Sequence, residues 1–167
     1  MSMALPEGCI EFLERTLPKG SKILELGSGE GTSLLLEKGF EMFSVEQDSE
    51  WAFKYHDNYI LSSLVLDKTT GIWWFNPSDL KGKLPSDYDL ILIDGPTGHT
   101  SEYDNCRLGF LKNQKLFNKN VPILVDDINR PAERELFNIL KEGRESSLHH
   151  AVSPQEWPFV ESYGYIQ

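Results

Sequence analysis

Lys22-Ile-Leu-Glu-Leu26, followed by Gly27-Ser-Gly-Glu-Gly31 and Thr32, is the stretch on which the fold turns. A short apolar run reads as a buried strand, and the glycines directly after it read as a tight turn into a helix over residues 32–38, with Gly39 as its stop. Glycines at such a turn permit positive φ and let a ligand approach the main chain closely. The helix amides behind the turn suit a negatively polarised group. A dinucleotide-binding loop, Gly-x-Gly-x-x-Gly, would need its third glycine at position 32, where this chain has Thr32. An ordinary glycine-rich turn without a ligand is the plainer alternative.

Working outward, an amphipathic segment over residues 6–17 precedes the strand, and Glu41–Glu46 reads as a second strand. A helix is expected over residues 50–56, capped by Asp48 or Ser49, and a third apolar run spans 59–66. Turn residues then dominate to about Asp87, apart from the adjacent Trp73, Trp74 and Phe75. The most apolar strand, over 88–93, ends at Asp94-Gly95-Pro96. A helix over 103–118 and a strand over 121–125 lead to Asp126-Asp127. Pro131 opens a helix stopped by Gly143, and the tail from Ser146 supplies two antiparallel strands around Pro154 and Pro158. Strand–helix alternation with continuously apolar strands predicts an α/β fold: one Rossmann-like, doubly wound, mostly parallel sheet with an antiparallel C-terminal hairpin strand. Residues 1–167 read as one domain. Ligands of such sheets bind at the carboxyl ends of the strands, where the glycines, Glu46, Asp94, Asp126 and Asp127 all fall.

The chain has 167 residues, 40% hydrophobic and 25% charged, enough for one globular core without staples. With 16 Lys+Arg against 26 Asp+Glu the net charge is −10, which disfavours a nucleic-acid partner. No apolar stretch approaches the ~20 residues of a membrane span. Residues 1–5 lack the basic and apolar regions of a secretory signal. Cys9 and Cys106 are far apart and read as reduced thiols, a single bridge being the alternative. A cytoplasmic protein, with a homo-oligomer as one option, is the expectation.

Glu25, two residues ahead of Gly27-x-Gly29-x-Gly31, completes a pattern that resembles motif I of the class I S-adenosylmethionine-dependent methyltransferases. Glu46, closing the second strand 15 residues after Gly31, stands where that family's ribose-binding acid stands. The 88–96 stretch looks like the family's fourth strand and 122–127 like its fifth, so the resemblance covers about 120 of the 167 residues. It implies that Glu25, Gly27, Ser28, Gly29, Gly31, Glu46 and Gln47 bind S-adenosylmethionine, with Asp94 facing the reacting methyl group. The adenine contact after strand three falls on Ser62 or Ser63 if that strand is 59–66, and on Asn76 or Asp79 if it is 72–75; Ser63 is favoured. Trp73 and Trp74 are candidates for pocket walls or for core.

The acceptor end is less specific. The base-methylating motif Asn/Asp-Pro-Pro-aromatic is absent, since Asp94 is followed by Gly95-Pro96-Thr97. Asp94, Asp126 and Asp127 are similar to the metal-binding carboxylates of the catechol-type O-methyltransferases and form a candidate Mg²⁺ or Ca²⁺ site. That family's lysine base is replaced by Thr97. The alternatives are helix capping and neutralisation by Arg107 or Arg130, which are also candidates for binding an anionic acceptor. His99, close behind Asp94, is the best-placed histidine for a general base, its plainer reading being a surface residue. The expected function is methyl transfer, most simply to an oxygen of a small-molecule or saccharide acceptor. The rivals are a non-catalytic nucleoside- or partner-binding module and a nicotinamide-dependent oxidoreductase.

Overall fold

Residues 5–98, 100–151 and 161–167 are described by the computed structural model of the chain. After α1 (Glu7–Thr16) come β1 (Lys22–Leu26), α2 (Glu30–Glu37), β2 (Glu41–Glu46) and β3 (Tyr59–Leu61). A hairpin of β4 (Leu64–Asp67) and β5 (Ile72–Phe75) and a one-turn α3 (Pro77–Leu80) follow. The second half holds β6 (Leu90–Ile93), α4 (Gly109–Asn113), β7 (Ile123–Val125), α5 (Pro131–Leu140), β8 (Ser146–Ala151) and β9 (Glu161–Ile166).

Seven strands form one sheet in the order β3-β2-β1-β6-β7-β9-β8. The neighbours from β3 to β7 pair in parallel, and β9 runs antiparallel to both β7 and β8. The alternation of burial explains why the sheet is covered on both sides. Leu24, Leu26, Ile91 and Ile93 enter one core, with Phe110, Leu136 and Phe137. Ile23, Leu90 and Leu92 enter the other, with Leu13, Leu35 and Met42. Each such side chain, fully buried, contributes roughly 1.5–3 kcal/mol of hydrophobic free energy.

Register sets up the site. Leu26 lies opposite both Val45 and Ile93, and Ile93 lies opposite Val125. The next residue on each strand, Gly27, Glu46, Asp94 and Asp126, therefore leaves the sheet in one row along its carboxyl edge.

Three expectations are corrected. The third apolar run is not one strand: β3 leaves the sheet after Leu61, and β4 and β5 pair with each other in a separate two-stranded sheet. Ser62 makes the break, its N–H donating to Glu46 O (2.8 Å) and its hydroxyl to Asp79 (3.1 Å). The segment 50–56 is a series of turns, not a helix. Asp48 does cap its start, accepting from the Glu50 N–H at 2.8 Å, but Phe53 at φ 62° turns the chain out of the right-handed helix. The helix expected over 103–118 is broken into a 3-10 turn (Cys106–Leu108), α4, and a second 3-10 turn (Gln114–Leu116). There Gly109 is pressed against Trp74, where a Cβ would lie 2.8 Å from the Trp74 Cβ. Pro154 and Pro158 lie outside the described residues. Cys9 and Cys106 are both free and buried. Among the described residues no helix is long and apolar enough to cross a membrane.

Candidate functional site

A cleft of about 660 Å³ opens along the carboxyl edge of the sheet. Its first half is built on the β1 and β2 ends. Gly27 has φ +90°, and a Cβ there would stand 2.7 Å from the Gly95 Cα; a Cβ on Gly95 would stand 2.6 Å from the Gly27 Cα. The loops after β1 and β6 thus touch main chain to main chain, which only glycine at both positions allows. Gly27, Ser28 and Gly29 line the cleft. Gly29 precedes α2 with extended backbone at φ −159°.

Glu46 lines the cleft at the end of β2 and is 2% exposed. Its Oε2 accepts from the Ser28 N–H (2.7 Å) and its Oε1 from the Asp48 N–H (2.7 Å). These bonds aim the carboxylate and leave each oxygen further acceptor capacity. Burial raises its pKa, and the backbone N–H groups oppose that shift. Gln47, Trp51 and Ser63 complete this half. Ser63 lines the cleft, whereas Ser62 is buried beside it.

Two residues of the glycine motif have other positions. Gly31 does not line the cleft: a Cβ there would meet the Leu5 side chain at 2.8 Å, so this glycine serves the packing of α2. Glu25 lies beneath the loop, 1% exposed, and accepts from the hydroxyls of Thr32 (2.9 Å) and Ser44 (2.6 Å). Thr32, the residue that breaks the dinucleotide spacing, also accepts from the Gly29 N–H at 3.2 Å and bonds the Ser28 hydroxyl at 3.0 Å. Ser44 in turn meets His56 Nε2 at 3.0 Å, while His56 Nδ1 accepts from the Asn58 N–H. His56 is thus the neutral Nε2–H tautomer, and it stacks on Tyr59, whose hydroxyl meets Ser28 at 2.8 Å. Burial pushes the Glu25 carboxyl up to about 8. The sequence reading did not find Ser44, His56 and Tyr59, whose spacing carries no motif.

The second half of the cleft is lined by Trp73, Asp94, Thr97, Tyr103, Arg107, Asp126, Asp127 and Arg130. Trp73 forms a wall, with its ring edge-on to Tyr103 at 5.8 Å, while Trp74 is buried in the core. Asp94, Asp126 and Asp127 each bring one oxygen within 4.8 Å of the others. Arg107 sits against them, its side chain only 4% exposed. Its guanidinium donates to Asp94 O, to Asp94 Oδ1 (3.2 Å), to Asp126 O (3.3 Å) and to Asp127 Oδ2 (3.1 Å), and pairs with Glu133 at 3.6 Å. Arg130 meets Asp127 Oδ2 at 3.0 Å. Asp127 is held at φ 56°, a left-handed conformation that aspartate tolerates.

Four carboxyls here face two guanidiniums. Burial pushes Asp94 up to about 7, with Arg107 pulling it down and Asp127 pushing it up. Asp126 is raised well above the usual carboxylate range by burial and by the charges of Asp94 and Asp127, against the pull of Arg107. Part of the excess charge is thereby removed by protonation near neutrality. The neutralisation by arginine anticipated as an alternative to a metal is what the geometry displays. A divalent cation between Asp94 and Asp127 would lie against a buried guanidinium, so the donor set does not fit a metal well. Both terminal nitrogens of Arg107 are engaged by the protein's own oxygens, which takes them away from an anionic acceptor. His99 lies outside the described residues.

No family model and no curated protein matches the chain. Solved structures do. The chain is similar to the C-terminal domain of precorrin-6Y C5,15-methyltransferase from Rhodobacter capsulatus, at 12% identity and TM-score 0.61, over 99% of this chain and 98% of that one. It is similar to a TehB-like SAM-dependent methyltransferase from Corynebacterium glutamicum, at 12% identity and TM-score 0.56, over 95% and 86% of the two chains. A protein from Streptococcus mutans solved in complex with SAH matches over 96% of both chains, at 12% identity and TM-score 0.56. Sheet order, single antiparallel strand, glycine loop and full-length superposition agree: the chain has the fold of the class I S-adenosylmethionine-dependent methyltransferases.

Proposed function

We propose that the protein transfers a methyl group from S-adenosylmethionine to an oxygen atom of a small-molecule or saccharide acceptor. The observation that carries this reading is the row Glu46, Gly27, Asp94, Asp126 along one cleft, with a buried carboxyl at each end and the glycine main chain between Glu46 and Asp94.

Each residue has a distinct task. The Gly27–Gly29 main chain receives the amino-acid end of the cofactor, because no side chain keeps it at a distance. Glu46 accepts hydrogen bonds from the two ribose hydroxyls with the lone pairs that Ser28 and Asp48 leave open. Gln47, Trp51 and Ser63 border the adenine. Glu25 acts through the loop, tying Thr32 in α2 to Ser44 in β2, and is a positioning residue. S-adenosylmethionine, when bound there, would supply an electrophilic methyl group, its sulfur keeping the electron pair of the S–C bond as a neutral thioether. Asp94 takes the proton of the acceptor hydroxyl, and its raised pKa of about 7 matches a general base working near neutrality. Arg107 holds Asp94 in place and keeps enough of it ionised.

Calorimetry against S-adenosylhomocysteine and NAD⁺ tests the reading, with binding of the first alone as the expected outcome. Preferential binding of NAD⁺ would return the chain to oxidoreductase chemistry. Once an acceptor is known, methyl transfer should persist in a chelator, since arginines neutralise the carboxylates; loss of turnover restored by Mg²⁺ would reinstate the metal.

A further inference from the structure

Asp126 is the most deeply buried of the three aspartates that line the cleft's second half. It is 5% exposed, it lines the cavity, and its Oδ1 has no hydrogen-bond partner among the described residues. A buried acceptor of this kind is costly unless a ligand or solvent donor reaches it. Asp94 and Asp127 offer further oxygens within 4.8 Å of it. The guanidinium of Arg107 is turned towards the protein's own oxygens, and Arg130 is committed to Asp127 at 3.0 Å.

This arrangement discriminates by charge. An anionic acceptor would meet three carboxyls, with both guanidiniums already ion-paired to Asp94 or Asp127. A cationic acceptor would lie beside two arginines that already pair with Asp94 and Asp127, and one orphan oxygen calls for a hydrogen-bond donor, not a full charge. Neutral hydroxyl groups satisfy the carboxyls without adding charge. Trp73 and Tyr103 line the same cleft and stand edge to face, 5.8 Å apart and inclined at 71°. Such rings offer broad apolar area that suits the C–H face of a saturated ring while its hydroxyls point away.

We propose that the space between the Trp73–Tyr103 pair and the Asp94–Asp126–Asp127 carboxyls is an acceptor subsite for an uncharged pyranoside, its ring on the aromatic wall and two neighbouring hydroxyls donating to Asp126 and Asp127. The inference rests on the methyl-transfer reading and names the acceptor class for it. A third hydroxyl, directed at Asp94, is the one that reacts. Glu46 and the glycine loop play no part in this grip.

Saturation-transfer NMR with methyl glucoside, glucuronate and glucosamine, on protein saturated with S-adenosylhomocysteine in EDTA buffer, tests the proposal. Methyl glucoside should bind most strongly, and Trp73→Ala and Asp126→Ala should each weaken it by about tenfold, the loss of one good contact. Asp126→Asn, which keeps an acceptor oxygen, should retain the binding, and S-adenosylhomocysteine affinity should be unchanged in all three variants. A preference for glucuronate or glucosamine overturns the neutral subsite. So does the absence of any sugar signal on protein that binds S-adenosylhomocysteine, or sugar binding that survives both alanine variants. If S-adenosylhomocysteine itself does not bind, the methyl-transfer reading fails first and the subsite falls with it.

Discussion

The two halves of the cleft are built differently. The cofactor half is main chain and short-range: Gly27, Ser28 and Gly29 within one loop, and Glu46 aimed by two neighbouring N–H groups. The acceptor half is side chain and long-range, bringing together Trp73, Asp94, Tyr103, Arg107, Asp126 and Arg130 from separate loops and elements. The first therefore depends on the shape of the backbone. The second depends on charge balance around the buried Arg107 and Asp126. Substitutions should separate the two.

The largest effect is expected at the charged end. Arg107→Met removes the cation shared by Asp94, Asp127 and Glu133 while keeping an unbranched apolar stem. Breaking a buried pair in this way costs roughly 3–5 kcal/mol, read by urea unfolding at pH 8. The deficit should shrink towards pH 5, where Asp94, already raised to about 7 with its arginine, is protonated in the variant. A deficit independent of pH would mean that Arg107 acts through packing alone.

Glu46→Ala should be milder and confined to the other half. It should weaken S-adenosylmethionine binding by about 1.5–3 kcal/mol, the scale of hydrogen bonds to a charged group, with little change in the fold. Equal affinity in wild type and variant by calorimetry would remove Glu46 from the ribose.

The smallest effect sharpens the comparison, because it asks whether charge matters in the cofactor half too. Burial raises Glu25 from its ordinary 4.5 to about 8 in the folded chain. The folded state then holds a proton that the unfolded state releases above 4.5. The stability from this group is full below that pH and is lost as the pH rises through about 8. Glu25→Gln, which cannot titrate, should melt close to wild type at pH 5 and gain on it at pH 8. Parallel melting profiles across that range would mean that Glu25 stays ionised in its hydroxyl cage.

The same contrast explains what could be read from the sequence. The strand–glycine–helix stretch at residues 22–32 identified the fold because period, turn and helix start are local properties. Glu46, Asp94 and Asp126 were found because a parallel register brings equivalent strand ends into one row. Glu25 was noticed for its place in the motif, yet its burial beneath the loop comes from Ser44, which is distant in sequence. Gly31 looked like a ligand glycine but answers to Leu5, a tertiary neighbour with no local signal. The expected helices at 50–56 and 103–118 failed where tertiary demands overrode pattern: the left-handed Phe53, and Gly109 pressed on Trp74. Arg107 was noted as a neutraliser, but five contacts from one guanidinium arise only once β6, β7 and α5 are packed.

The main-chain contact between Gly27 and Gly95 acts as a rivet between the loop proposed to receive the methyl donor and the loop proposed to carry the base. With that spacing set, a lineage or an engineer seeking a new acceptor has to work elsewhere. The natural place is the β4–β5 hairpin, which belongs to its own small sheet and hangs one tryptophan over the cleft. Under the proposed function, exchanging that module would change what is methylated and leave untouched the distance across which the methyl group travels.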